Sequence, residues 1–191
     1  MAPYVEYQHP RVHGVPGDVV LDVGAFTGAT AWRFAWQLKG RGRIVALEPV
    51  MANYGRLARR RIPGLLPLCV GAWNEDTTLA FDEKGSSSKV SEGGSSRLHV
   101  CRLDDLVRRL ALPHVDLIKL DIEGAERQAL EGAAEIIAKH RPKLQVSIYH
   151  RNADLYELPL LIRSMVRGPY EFFVGHHGPY HTETDLYALP L

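Results

Sequence analysis

The sequence predicts an α/β protein built on one open, doubly wound, mostly parallel sheet with helices on both faces. Three stretches predict it. Val19–Val23 is a short apolar run that carries Asp22, followed by a turn with Gly24 and Gly28 and then by a helical stripe of Ala31, Phe34, Ala35 and Leu38. Arg43–Leu47 is a near-continuous apolar run that ends in Glu48-Pro49. Val115–Leu120 runs into Asp121, and Gly124 opens the next helical pattern. Strands this apolar are buried on both faces, as in a parallel sheet, and such sheets bind ligands beyond the carboxyl ends of their strands.

Composition bounds the problem. The 191 residues suit a single domain over 1–191 with a sizeable core. Apolar residues make up 46% and charged residues 24%, the balance of an ordinary globular chain. The net charge of +1 gives no bulk attraction to nucleic acid or to a membrane surface. No apolar run approaches the ~20 residues of a membrane span, and Met1–Glu6 lacks the basic-then-apolar shape of a signal peptide. Cys69 and Cys101 have no metal-type spacing and read as reduced core thiols. The expectation is a cytoplasmic protein with a small-molecule ligand, no nucleic-acid partner and no membrane.

In chain order, residues 1–18 are an irregular lead-in rich in proline, placed to fold over the sheet. The first strand is Val19–Val23. The turn after it, Gly24-Ala25-Phe26-Thr27-Gly28, lets backbone approach a ligand closely and aims the amides of the helix start at it. Its spacing is G-x-x-x-G rather than G-x-G-x-x-G, and no G-K-[ST] follows. Asp22 would oppose a pyrophosphate but suits an ammonium group. S-adenosylmethionine, with its ammonium, carboxylate and sulfonium, fits this turn better than a dinucleotide does. Glu48, at the tip of the second strand, is placed to accept hydrogen bonds from ribose hydroxyls.

A helix over Met51–Arg61 follows, and its three terminal arginines read as a solvated face. The third strand, Leu65–Val70, closes on Gly71-Ala72-Trp73, where the small residues leave room for an adenine and Trp73 stacks or packs. Thr77–Asp82 and Leu98–Leu103 read as added strands. Between them residues 84–97 have the Gly/Ser composition of a flexible loop, with a lid or a plain surface excursion as its two readings. Asp104 caps a short helix reaching about Leu110.

The fourth strand brings Asp121 and Glu123 to its tip; alternation along an extended segment turns both to one side. The following helix buries Leu130, Ala133, Ala134 and Ile137. The fifth strand, Lys143–Tyr149, ends in His150 on the same edge. Asp121, Glu123 and His150 are the candidate catalytic residues. Either His150 or Asp121 serves as a general base, or Asp121 and Glu123 with His150 hold a divalent cation. A last helix runs from Glu157-Leu158-Pro159 to about Arg167. Tyr170–Val174 and Thr184–Leu189 then form a hairpin whose loop carries His176, His177 and His181, which a hairpin need not gather around a metal.

Leu21-Asp22-Val23-Gly24-Ala25 with Gly28, Glu48-Pro49, and above all Ile118-Lys119-Leu120-Asp121-Ile122-Glu123-Gly124-Ala125-Glu126 resemble the FkbM-type, S-adenosylmethionine-dependent methyltransferases of the class I Rossmann-like group. Ser147-Ile148-Tyr149-His150 and Glu183–Ala188 resemble a subset of the family. The resemblance implies a seven-stranded sheet with an antiparallel last strand and methyl transfer to an oxygen, commonly of a sugar or polyketide hydroxyl. It places Asp22, Gly24, Ala25, Phe26, Thr27 and Gly28 at the methionine moiety, Glu48 at the ribose and Gly71, Ala72 and Trp73 at the adenine. A non-catalytic cofactor-binding module of this fold and a nicotinamide-dependent oxidoreductase are the competing expectations.

Overall fold

The computed structural model describes Tyr7 and residues 9–82, 89–90, 96–178 and 183–191. The strands are β1 (Val19–Val23), β2 (Arg43–Leu47), β3 (Leu65–Leu68), β4 (Gly71–Ala72), β5 (Thr77–Asp82), β6 (Lys89–Val90), β7 (Ser96–Cys101), β8 (Leu117–Leu120), β9 (Lys143–Ser147), β10 (Tyr170–His176) and β11 (Thr184–Pro190). The helices are α1 (Ala29–Leu38), α2 (Met51–Ala58), α3 (Leu103–Arg109), α4 (Glu126–Glu131), α5 (Ala134–His140) and α6 (Asp154–Met165). No helix among the described residues is long and apolar enough to cross a membrane.

The main sheet has seven strands in the order β10-β11-β9-β8-β1-β2-β3. β3, β2, β1, β8 and β9 are parallel, and β11 enters antiparallel between β9 and β10, as the family resemblance implies. Leu21, Val23, Ile118, Leu120, Leu144 and Val146 face one way and pack with side chains of α3, α4, α5 and α6. Val20, Ile44, Ala46 and Leu117 face the other way, against Phe34, Leu38 and Leu57 from α1 and α2. Alternate residues thus enter two separate cores, which is why these strands carry apolar residues at nearly every position.

On the side of α1 and α2, the half of the sheet around β8, β9 and β11 is polar. Asp22, Lys119, Gln145 and Tyr187 lie side by side across four strands. The described part of the lead-in straps over them. Gln145 Nε2 donates to the carbonyls of Val12 at 2.7 Å and Tyr7 at 3.3 Å. Lys143 Nζ donates to the His13 carbonyl at 2.7 Å and to Asp18 Oδ2 at 2.8 Å. The Tyr7 hydroxyl is 2.8 Å from Ser147 Oγ. In the middle of the row Lys119 Nζ lies 3.5 Å from Asp22 Oδ1, with both side chains at most 1% exposed. A buried charge left without its partner is costly.

β5 and β7 pair with each other rather than with the main sheet, in a second sheet of four strands ordered β4-β7-β5-β6. The chain leaves the main sheet after Leu68, so the third strand is shorter than expected, and Gly71–Ala72 pairs with Val100 and Cys101 instead. Of the stretch 84–97, residues 89–90 pair with β5 and Ser96 and Arg97 begin β7; the rest lies outside the described residues.

Four helical readings from the sequence change in the structure. α2 stops at Ala58, and the three arginines after it are exposed. The helix expected after Gly124 is broken in two around Gly132, where a Cβ would stand 2.0 Å from the Trp73 carbonyl oxygen. Asp104 does not cap its own helix but accepts from the amides of Glu135 and Ile136, in the first turn of α5. α6 begins at Asp154, three residues before Glu157, because the buried Asp154 carboxylate accepts from the Arg151 amide and guanidinium. Pro159 consequently lies inside the helix and deprives exposed Leu155 of its helical donor.

Replacing Gly132 with Ala is expected to lower stability by about 1–3 kcal/mol or more, read as a fall in the urea midpoint. Replacing Lys119 with Met is expected to cost about 3–5 kcal/mol. Combining it with Asp22→Asn is expected to cost clearly less than the sum of the two single changes, and strict additivity in that cycle would show the pair to be uncoupled.

Candidate active site

The turn after β1 is held from both sides. The amides of Gly24 and Ala25 donate to the Leu47 carbonyl at the end of β2, each at 3.0 Å. Gly24 has φ +78°, and a Cβ there would fall 1.9 Å from the Asp121 carbonyl oxygen. Glycine is therefore required where the turn meets the tip of β8. Gly28 starts α1 with φ +91°, and its bare α-carbon leaves space for Leu57 of α2.

Beneath the turn, Asp22 accepts from the Thr30 hydroxyl at 2.7 Å. Lys119 Nζ, besides facing Asp22, donates to the Gly24 carbonyl at 2.8 Å and stands 3.8 Å from Asp121 Oδ2. One ammonium group thus supports the turn and the β8 tip together.

Glu48 is 5% exposed, and each of its two carboxylate oxygens accepts from one backbone amide. Its Oε2 accepts from the Phe26 amide and its Oε1 from the Val50 amide, both at 2.9 Å, with Asn53 Nδ2 at 3.4 Å. Burial pushes its pKa up, and the Val50, Asn53 and Phe26 donors and the charge of Lys119 oppose that. The carboxylate is pinned in one orientation at the edge of a cleft.

Beyond the β8 tip the chain does not stay extended. Glu123 adopts φ +57° and Gly124 φ +96°, a turn that leads into α4. The expected alternation of Asp121 and Glu123 is therefore replaced by a turn, yet both residues line the same cavity. His150 follows β9 with its side chain 6% exposed. Its Nε2 lies 3.5 Å from Asp121 Oδ1 and 3.8 Å from Glu123 Oε2, and its Nδ1 lies 2.9 Å from Glu126 Oε1. Burial alone would lower the imidazole pKa, but Glu126 first, then Asp121 and Glu123, raise it above the ordinary value.

Two adjoining cavities form the cleft, sharing Gly24, Pro49, Phe81 and Ile122. The polar arm is completed by Phe26, Glu48, Val50, Asn53, Asp121 and Glu123. The apolar arm runs between the main sheet and the small one, past Leu47, Gly71, Ala72, Trp73, Leu98 and Val100.

Of the residues singled out in the sequence, Gly24, Phe26, Glu48, Gly71, Ala72, Trp73, Asp121 and Glu123 line this cleft. Asp22, Ala25, Thr27, Gly28 and His150 do not line it; Asp22 and Ala25 lie in the packing below the turn, and His150 stands behind Asp121 and Glu123. His176 Nδ1 is 2.9 Å from Thr184 Oγ1 and His177 Nε2 is 2.8 Å from the Tyr187 hydroxyl, so each has its own partner in the hairpin. His181 is outside the described residues. Cys69 and Cys101 are both free thiols; burial pushes Cys101 up to about 11.

Sequence reasoning missed Glu126 as a site residue. It is 1% exposed and also accepts from the Ile122 amide at 2.8 Å, closing the turn that carries Glu123. The signal was present: helical spacing puts Glu126 on the face of Ala129 and Leu130, both fully buried, and a carboxylate on such a face calls for a partner.

Comparison with known proteins agrees with this geometry. Residues 22–168 match the methyltransferase FkbM domain. The 2-O-methyltransferase NoeI of Sinorhizobium fredii is 26% identical over 178 residues, covering 79% of this chain and 70% of that protein. The hexuronic acid methyltransferase AglP of Haloferax volcanii is 29% identical over 122 residues, 60% of this chain and 49% of that one. Among solved structures, the FkbM methyltransferase of Methylobacillus flagellatus KT superposes with a TM-score of 0.79 at 26% identity, covering 98% of this chain and 48% of that one. Fibrillarin of Aeropyrum pernix, solved with natively bound S-adenosyl-L-methionine, shares the fold with a TM-score of 0.61 at 17% identity, covering 96% of this chain and 70% of that one. The chain thus spans about half the length of AglP and of the M. flagellatus protein. With its motifs in order on a Rossmann-like sheet and the domain match running from Asp22 to Gly168, the chain belongs to the FkbM family of methyltransferases.

Proposed function

We propose that the protein transfers the methyl group of S-adenosylmethionine to a hydroxyl oxygen of a small molecule, and that the acceptor is a sugar hydroxyl. The observation that carries this reading is the cleft itself: an immobilised glutamate at the β2 tip and two carboxylates at the β8 tip line one cavity at the carboxyl edge of the sheet. The relatives' names support an acceptor of the sugar class, since one is a 2-O-methyltransferase and another a hexuronic acid methyltransferase.

The residues present fit the donor. Gly24 lines both arms of the cleft and carries no side chain into it. Glu48 has its amide donors on one side and faces the cavity with the rest of its carboxylate, which suits a vicinal diol. The apolar arm, with Trp73, Phe81 and the flat, small Gly71–Ala72 segment, suits a planar purine. S-adenosylmethionine, when bound, supplies a methyl group already activated on its sulfonium.

The chain's own task is then alignment and proton removal. Fixed contacts along the cleft hold the reacting atoms in line. Asp121 lines the cavity, its side chain is 27% exposed, and Lys119 supports it from below, so it is the group placed to take the hydroxyl proton. His150 and Glu123 stand beside it and complete the charge environment.

Turnover on a panel of glycosides with methyl-labelled donor tests the reaction; tight donor binding with no labelled product from any hydroxyl acceptor would favour a binding module. Asp121→Asn is expected to reduce turnover by about 10²–10⁴-fold while leaving the dissociation constant for S-adenosylhomocysteine unchanged in calorimetry. Retained activity in that variant removes Asp121 from proton transfer. Glu48→Ala is expected to weaken S-adenosylhomocysteine at least about tenfold, the equivalent of one lost charged hydrogen bond; unchanged affinity would contradict the ribose assignment.

A further inference from the structure

We propose that Asp121, Glu126 and His150 form a binding site for a divalent first-row metal ion at the inner end of the cleft. The inference deepens the reading of this site as a hydroxyl methylation centre, and its cofactor-free test stands apart from that reading.

The argument begins with atoms that have too few partners. Glu126 is 1% exposed, and its Oε2 has no hydrogen-bond partner. His150, with a side chain 6% exposed, turns Nδ1 to Glu126 Oε1 at 2.9 Å, while its Nε2 has no hydrogen bond among the described residues and lies 3.5 Å from Asp121 Oδ1. Buried polar atoms left in this state cost free energy comparable to a lost hydrogen bond. With Nδ1–H turned to Glu126 Oε1, His150 Nε2 and Glu126 Oε2 are two buried lone-pair atoms in one small cluster, and they call for a guest that accepts electron pairs.

The spacing suits a single ion. One ligand atom each from Asp121, Glu126 and His150 lie within 4.8 Å of one another. An ion with bonds of about 2.0–2.2 Å holds its ligand atoms about 3.0–4.4 Å apart, depending on geometry. His150 Nε2 and Asp121 Oδ1 are already 3.5 Å apart, inside that range.

Charge points the same way. Asp121, Glu123 and Glu126 face His150, and Lys119 is the ammonium beside Asp121. Three carboxylates against Lys119, with the nearby Arg151 already paired to Asp154, leave the pocket negative. The same negative field draws in a metal ion, which binds an imidazole through its unprotonated nitrogen. One imidazole and two carboxylates favour manganese, iron or zinc over calcium.

Of the three ligands, Asp121 lines the cleft, so the open coordination positions face the acceptor. An ion held there would bind the acceptor hydroxyl oxygen and lower its pKa. Asp121 would use Oδ1 for the ion and keep Oδ2 for the proton that leaves.

The test is a Mn²⁺ titration of EDTA-treated full-length protein near neutral pH, followed by electron paramagnetic resonance, with no donor or acceptor present. One saturable ion per chain is expected, with a matching rise in melting temperature. Asp121→Asn and His150→Gln are each expected to weaken it at least about tenfold. Asp121 is the partly exposed ligand, so Asp121→Asn serves if changes at Glu126 or His150 impair folding. S-adenosylhomocysteine binding in the same samples reports an intact cleft. Absence of a saturable site for Mn²⁺ and for Zn²⁺ in protein that still binds S-adenosylhomocysteine overturns the metal proposal and leaves the methyl-transfer reading standing. Undiminished Mn²⁺ binding in both variants overturns it as well.

Discussion

Gly24 presses its α-carbon against the carbonyl oxygen of Asp121, and that contact organises the cleft. A methyl group at that α-carbon would be 1.9 Å from the oxygen. Because the two backbones touch, the turn after β1 and the tip of β8 form one surface. Lys119 locks the same junction from beneath by donating to the Gly24 carbonyl and facing both Asp22 and Asp121. The Leu47 carbonyl holds the turn to β2, and Glu48 clamps it again through the Phe26 amide. The residues proposed to hold the donor and to take the proton are therefore parts of one edge, which suits in-line transfer.

The polar row beneath this edge explains the lead-in. A helix packed on Asp22, Lys119, Gln145 and Tyr187 would have its own amides and carbonyls internally bonded and could not satisfy these side chains. An irregular segment has free backbone carbonyls to offer. Gln145 and Lys143 take those of Tyr7, Val12 and His13. Irregularity at this position is thus a property that the sheet face selects, and the prolines and glycines before Val19 supply it.

What could be read from the chain in advance was whatever depends on near neighbours. Strand tips announced themselves as carboxylates after apolar runs, so Glu48, Asp121 and His150 could be placed on one edge before any coordinates. Contacts between distant segments left no such trace. Gly132 looks like an ordinary helical glycine until the Trp73 carbonyl fills the space above it. Asp104 looks like the cap of its own helix but serves α5. The pairing of β5 with β7 depends on a partner two loops away, so the second sheet was invisible although both strands were seen. Glu126 stood in plain view inside the motif, and only its burial beside His150 gives it a role.

The small sheet has an architectural consequence. Residues 71–101 leave the main sheet at one point and return at the start of α3, and they carry Leu79, Phe81, Leu98 and Val100 to the far wall of the cleft. One side of the cavity is thus a separate panel, joined to the scaffold through the Trp73–Gly132 contact and through Ala72 and Cys101, which are buried in the main core. Among the described residues, no strand of the panel pairs with a strand of the main sheet, so the ladder hydrogen bonds of that sheet do not depend on the panel. Swapping this one cassette between relatives therefore reshapes the chamber while the clamp on Glu48 and the Gly24–Asp121 junction stay as they are.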